Sequence, residues 1–199
     1  ELMSKHTSFK VGGPAECYIK IQTIEELKEI TNFIQKNKIE SVIIGNGSNI
    51  LVTDKGIKGI VLQICIKKYE ITELKEGKIK AIIGAGNKMS EIAQKFLKEE
   101  ITGFEELSGI PGTIGGAIKM NAGAHKKEIK DILDSITVLD ENNELRELRN
   151  EELHFEYRKS ILFEKKYIVI EAKFNLQKGK HEEINSKMQE YKKYRTEKQ

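Results

Sequence analysis

The chain has 199 residues, 38% hydrophobic and 33% charged, with a formal net charge of +3. That length fits one large domain or two small ones, and acids and bases are interspersed with too little excess charge to argue for nucleic acid. Cys17 and Cys65 stand far apart, and His6, His125, His154 and His181 form no pair at ligand spacing. Neither a disulfide framework nor a metal centre is therefore expected. No apolar run approaches membrane-spanning length and the first residues do not read as a signal peptide, so a cytoplasmic chain with no membrane partner is expected.

The chain opens with a polar lead and a Val11-Gly12-Gly13-Pro14 turn. Residues 15–21 alternate around Cys17, Ile19 and Ile21, as a half-buried strand does. Thr23 and Glu26 have capping-box spacing, and Ile24, Leu27, Ile30 and Ile34 then fall on one helical face ending near Asn37. The apolar run 41–44 completes a small β-α-β unit with an expected parallel pair. It ends in Gly45-Asn46-Gly47-Ser48-Asn49, which has two glycines of a dinucleotide fingerprint and Ile50 in place of the third. A Rossmann reading is thus weak, although such a loop offers several donors to a phosphate. Taken alone, it is a plain turn.

From Gly59 short strands are expected at 60–64, 69–74 and 79–84, the last two joined by a turn at Gly77-Lys78. Met89, Ile92, Ala93, Phe96 and Leu97 mark an amphipathic helix. Residues 132–139 and 144–148 form a second hairpin across Asn142-Asn143, 167–176 a longer strand, and 181–194 a helix with Ile184, Met188 and Tyr191 on one face. Two α+β lobes, residues 1–57 and 58–199, are expected around a shared cleft.

Between these elements lies Ser108-Gly109-Ile110-Pro111-Gly112-Thr113-Ile114-Gly115-Gly116-Ala117-Ile118-Lys119-Met120-Asn121-Ala122-Gly123, with five glycines and two alanines. So few side chains let a ligand lie on main-chain N–H groups. Residues 113–120 fit one short helix behind the Gly109-Ile110-Pro111-Gly112 turn, with free amides directed at an anion. The alternative is a glycine-packed helix crossing with no ligand.

His6-Thr7-Ser8-Phe9-Lys10-Val11-Gly12-Gly13-Pro14-Ala15, the 45–49 loop with Leu51-Val52, the 109–123 segment and Phe155-Glu156-Tyr157-Arg158-Lys159-Ser160 occur together in register. In this the chain resembles the UDP-N-acetylenolpyruvoylglucosamine reductase (UDP-N-acetylmuramate dehydrogenase) family over essentially its whole length. The resemblance implies an α+β, two-lobed FAD-binding fold of the vanillyl-alcohol oxidase / p-cresol methylhydroxylase type, followed in the family by a C-terminal substrate-binding domain absent here. It implies non-covalent FAD, NADPH as reductant, a UDP-sugar substrate and peptidoglycan precursor synthesis; a monomer is expected.

By that resemblance Gly45, Asn46, Gly47, Ser48 and Asn49 hold the FAD pyrophosphate, and Leu51 is a further cofactor-binding residue. Ser108, Gly109, Ile110, Pro111, Gly112, Gly115, Gly116 and Ala117 line the flavin end, and Asn121, Ala122 and Gly123 continue that wall. Tyr157 and Arg158 face the substrate, with Arg158 catalytic, because an Arg fork pairs with both oxygens of a carboxylate. Gly47→Asp is expected to abolish cofactor retention while sparing the fold. Two departures stand out. His125-Lys126-Lys127 replaces the family's aromatic and glycines, and the family's serine proton donor and glutamate lie in its C-terminal domain, with Ser186 and Glu190 matching no motif. A non-catalytic flavin- or nucleotide-binding module, or an oxidase of the same fold, are the alternatives.

Overall fold

The computed structural model describes residues 1–198; Gln199, the last residue of the second expected lobe, lies outside the described residues. In chain order the elements are Ala15–Ile21 (β1), Ile24–Asn37 (α1), Ser41–Ile44 (β2), Ile57–Ile64 (β3), Tyr69–Glu73 (β4), Lys78–Gly84 (β5), Met89–Lys98 (α2) and Ile101–Thr102 (β6). Ile114–Lys119 (α3), Gly123–Ala124 (β7), Lys127–Glu128 (β8), Leu133–Leu139 (β9), Leu145–Arg149 (β10), Ile168–Lys178 (β11) and His181–Lys198 (α4) follow.

The first sheet has the order β1-β3-β2, with both pairings parallel. β1 and β2 are parallel as expected but are not neighbours, because β3 lies between them. The expected boundary at 57/58 therefore assigns β3 to the wrong lobe. Its Ile60, Val61, Leu62 and Ile64 are all buried, and a strand apolar on both faces belongs at the centre of a covered sheet. That pattern carries no information on which sheet the strand will join. α1 has the expected capping box: Thr23 accepts from Glu26 N at 3.1 Å, and the Glu26 carboxylate accepts from Thr23 N at 3.2 Å.

The second sheet is antiparallel, in the order β10-β9-β11-β5-β4, with β6 added on β11. β11 is central: its alternate residues Ile170, Ala172, Phe174 and Leu176 are buried, and so is Val169 on the other face. α2 lays Met89, Ile92, Ala93, Phe96 and Leu97 on this sheet, as the 3.6-residue period requires. Phe96 meets Phe104 edge to face at 5.4 Å, and Phe104 meets Phe174 likewise at 6.4 Å. One apolar core runs from α1 and β3 through α3 to β11 and α4.

Phe96 is 1% exposed. Phe96→Ala is expected to destabilise the chain by about 3–5 kcal/mol, read as a lowered urea midpoint.

Candidate cofactor site

β2 and β3 are parallel neighbours, so the chain must cross over between them, and residues 45–56 do this without a helix. The crossover begins with the Gly45 carbonyl accepting from Gln63 Nε2 at 3.0 Å and the Gly47 carbonyl accepting from Ser8 N at 3.1 Å. Its own amides are another matter. Among the described residues none of the backbone N–H groups from Asn46 to Asn49 donates a hydrogen bond within the protein. The Ser48 hydroxyl is buried and has no partner. A buried hydroxyl left unpaired costs about 1–3 kcal/mol, and successive free N–H groups form an anion-accepting concavity. These donors fit the phosphate portion of a dinucleotide.

The glycine-rich segment is different. The amides expected to be free at the start of α3 are taken: Ile114 N donates to Asn87 O at 2.9 Å and Gly115 N to Ala85 O at 3.0 Å. Gly116 N points to the capping Thr113 hydroxyl at 3.5 Å. Ser108 N and Oγ both donate to Glu105 O, Ile110 N donates to Leu107 O, and Gly112 O accepts from Met89 N. Glu105 itself is buried. Burial raises its carboxyl pKa, but the Thr102 hydroxyl and the amide of Gly103 donate to it and leave it below its usual value.

Here the glycines set approach distances. A Cβ at Gly45 would lie 2.3 Å from Thr113 Oγ1, and one at Gly115 would lie 3.0 Å from Ala85 Cβ. The glycine-packed crossing is thus part of the answer, and it joins the two expected donor segments. A Cβ at Gly112 would lie 3.8 Å from Ser48 Oγ, and Asn49 Nδ2 reaches Met120 Sδ at 3.4 Å. Ala117 is buried, while Pro111, Gly109 and Gly116 are exposed and Leu51 is 74% exposed.

Beside this junction opens a cleft of about 1440 Å³. One wall is the end of α1 and the β2 strand, where Val42 and Ile43 are exposed. The opposite wall is Thr113, Gly115, Gly116 and Lys119 with residues 162–169. The Lys119 residue is exposed as a whole, yet its ammonium end is crowded by protein, and this desolvation lowers its pKa.

Asn121 does not present its side chain to this cleft. It is buried, with left-handed backbone at φ 41°. Its Nδ2 donates to Glu156 O at 3.1 Å and its Oδ1 accepts from Lys130 N at 3.3 Å. Ala122 is tied to Ala117 and Ile129 by its backbone, and Gly123 pairs with Glu128 in the β7–β8 hairpin. Sequence spacing could not separate a cofactor wall from a bracket, because that depends on where residue 156 returns.

What Asn121 brackets is the turn bearing Arg158. Glu156 and Lys159 exchange backbone hydrogen bonds at 3.1 and 3.3 Å, leaving Tyr157-Arg158 at the tip. The buried Ser160 hydroxyl donates to Lys119 O at 2.8 Å, the second tie to the end of α3. Arg158 adopts φ 53°, a left-handed conformation that side chains disfavour. Tyr157 is 82% exposed, its ring 6.0 Å from the Arg158 guanidinium carbon, and neither residue lines the cleft.

The departure at 125–127 also has a structural account. His125 stacks on Tyr191 at 4.2 Å and meets Tyr194 at 5.3 Å, while Lys127 pairs with Glu106 at 3.6 Å. The β7–β8 loop thereby docks on α4, whose Arg195 also donates to Gly109 O. Among the described residues, no group of three or more His, Cys, Asp or Glu is placed to hold a metal, and no helix is long and apolar enough to cross a membrane.

A family model described as FAD binding domain matches residues 15–149. A UDP-N-acetylenolpyruvoylglucosamine reductase of Caldanaerobacter subterraneus subsp. tengcongensis is 46% identical over all of this chain and 65% of its own length. The crystal structure of UDP-N-acetylenolpyruvylglucosamine reductase from Thermus caldophilus is 32% identical, with a TM-score of 0.83, and the match covers 98% of this chain and 68% of that one. The chain belongs to this reductase family. Its FAD-binding domain covers most of the chain, and the chain spans 60–65% of the length of the curated relatives compared with it. A vanillyl-alcohol-oxidase-type flavoprotein from Myceliophthora thermophila, 14% identical with a TM-score of 0.62 over 81% of this chain and 31% of that one, shares the fold. The expected two-lobed flavin fold and FAD as its cofactor are therefore correct.

The expectation for Gly47 needs correcting. Its φ is +65°, and a Cβ there would lie 1.9 Å from the His6 carbonyl oxygen. Any side chain forces the loop from the N-terminal segment, so Gly47→Asp does not spare the fold. Gly47→Ala is expected to cost at least about 1–2 kcal/mol from the left-handed backbone alone, seen as a lower Tm and faster proteolysis near residues 6–8. Asn121→Ala is expected to cost about 1–3 kcal/mol by leaving the Glu156 carbonyl and the Lys130 amide without their partner. Hydrogen exchange should rise at 156–160 before it rises in β9 or β11.

Proposed function

We propose that this chain is the FAD-binding portion of an NADPH-dependent oxidoreductase that reduces UDP-N-acetylglucosamine enolpyruvate to UDP-N-acetylmuramate, in the cytoplasm, for peptidoglycan precursor synthesis. The observation that carries the reading is the row of undonated amides from Asn46 to Asn49 with the buried Ser48 hydroxyl, unpartnered among the described residues, in the loop whose first residue, Gly45, lines the cleft. The names of the relatives supply the reaction. We assign Gly45 through Asn49 to the pyrophosphate, with Leu51 as a further cofactor-binding residue. Residues 108–112 and 115–117 form the wall beside the flavin, held by Asn87, Ala85 and Glu105.

FAD when bound supplies two-electron hydride chemistry. The chain's own residues hold and orient. Arg158 pairs with the enolpyruvyl carboxylate through two parallel bonds. Negative charge grows on that carboxylate as the double bond is reduced, so a fixed cation there stabilises the transition state more than the ground state. Asn121 and Ser160 position the turn that carries it, and Tyr157 covers its outer side. The family's serine and glutamate have no counterpart here: Ser186 and Glu190 are exposed on α4 and line no part of the cleft. Proton delivery is assigned to the third domain of the family, and the chain itself is taken as a monomer.

The purified chain should carry a yellow chromophore that acid precipitation releases entirely into the supernatant. It should turn over the enolpyruvyl substrate very slowly, since proton donation commonly contributes about 10²–10⁴-fold. In a protein extended by the family's third domain, Arg158→Ala should slow the flavin-to-substrate half-reaction in stopped flow and leave oxidation of NADPH nearly unchanged. A colourless chain, or colour retained in the pellet, would overturn the cofactor assignment. Equal loss in both half-reactions would remove the role given to Arg158.

A further inference from the structure

Lys38, Lys58, Lys119, Lys165 and Lys166 all line the cleft. Among the described residues none of these five makes an ion pair, although lysines elsewhere on the surface pair freely. The acids of the cleft do not answer them fully. Glu164 is engaged by Lys159 at 3.0 Å, and Asp140 Oδ1 accepts the amides of Asn142 and Glu144. Backbone amides leave the Asp140 charge in place, so among the described residues Glu40, Asp140 and Glu141 are three unpaired carboxylates against five lysines, and positive charge is in excess on the cleft walls. An unmatched field of this kind raises the local concentration of polyanions.

Lys119 differs from the other four. It sits at the last position of α3, three residues after Gly116, so both lie on the same helical face towards the cleft. Its ammonium is 5.0 Å from the centroid of the Phe163 ring, which is 50% exposed at the same wall. Bare glycine at 116 leaves room for a ligand along the helix, and the Lys119 ammonium stands at the end of that path. Its crowding by protein removes water without supplying a carboxylate. An ammonium is a compact point charge that suits a phosphate oxygen.

We propose that Lys119 is the cation that receives a phosphate group of a nucleotide bound in the cleft. The inference rests on the reading of this cleft as the nucleotide site and adds a ligating residue that lines the same cleft as Gly45, the first residue of the donor-rich loop. The phosphate has two possible sources, the pyrophosphate of FAD and the ribose phosphate of the nicotinamide nucleotide.

The experiment titrates the flavin-stripped chain, its Lys119→Gln variant and its Lys119→Arg variant with FAD, riboflavin and 2′,5′-ADP, at low and high salt. Circular dichroism checks that each variant is folded. With FAD as the source, Lys119→Gln weakens FAD binding by about tenfold or more, leaves riboflavin unchanged and flattens the salt dependence, while Lys119→Arg restores most of the affinity. With the second nucleotide as the source, the same pattern appears for 2′,5′-ADP alone. Unchanged affinity for both phosphorylated ligands in Lys119→Gln overturns the inference and leaves the cofactor reading standing. An equal loss for FAD and riboflavin overturns it too, since the lysine would then act on the ring system. A wild-type chain that binds no FAD removes the cofactor reading, and one that also ignores 2′,5′-ADP removes both.

Discussion

Two parallel strands that lie side by side cannot be joined by a tight turn. β3 is flanked by β1 and β2, both parallel to it, so the chain leaving β2 must travel the length of the sheet before it can enter β3. Residues 45–56 make this journey as irregular backbone, and irregular backbone keeps its N–H groups unless something takes them. From Asn46 to Asn49 nothing among the described residues does. The donor-rich character of the site is thus a consequence of sheet order. An antiparallel neighbour would have allowed a short hairpin and left no such loop.

The second constraint is how closely the two lobes approach. Thr113 caps α3 and at the same time touches Gly45, so the helix start and the loop start are fixed by one side chain. Gly115 lets α3 sit against Ala85, and the amides of Ile114 and Gly115 are then absorbed by carbonyls of the β5–α2 connection. The glycine-rich segment consequently behaves as a stiff wall, and the 45–49 loop as the face with unmet hydrogen-bonding capacity. A site built from one satisfied and one unsatisfied surface holds its shape without ligand while still gaining hydrogen bonds from one.

The turn carrying Arg158 shows how a solvent-facing residue is given a fixed position. Left-handed backbone at a non-glycine residue costs about 1–2 kcal/mol, and persists only where its surroundings over-determine it. Here the surroundings are the Asn121 amide and the Ser160 hydroxyl, both buried, both tying the turn to the end of α3. Wall, lysine and arginine turn are therefore parts of one unit centred on a six-residue helix.

Much of the local structure was legible because it depends on neighbours in the chain. The 15–21 strand, the capped 24–37 helix, the helix bearing Phe96 and the two hairpins follow from period, capping spacing and turn residues, and the motifs in register pointed to the flavin fold. What the sequence alone left open depends on contacts between distant residues. The apolar run at 57–64 suits the centre of either sheet, and only assembly placed it between β1 and β2. Free amides at α3 were a fair expectation for an isolated helix start, but Asn87 and Ala85, far upstream, occupy them. Gly47 reads as a phosphate-loop residue until the His6 carbonyl is found 1.9 Å from its absent Cβ. Asn121 reads as cofactor wall until Glu156 returns beside it. Short-range hydrogen bonding and hydrophobic period are written in consecutive residues, whereas which donor is left over is decided only when every other acceptor has been brought into place.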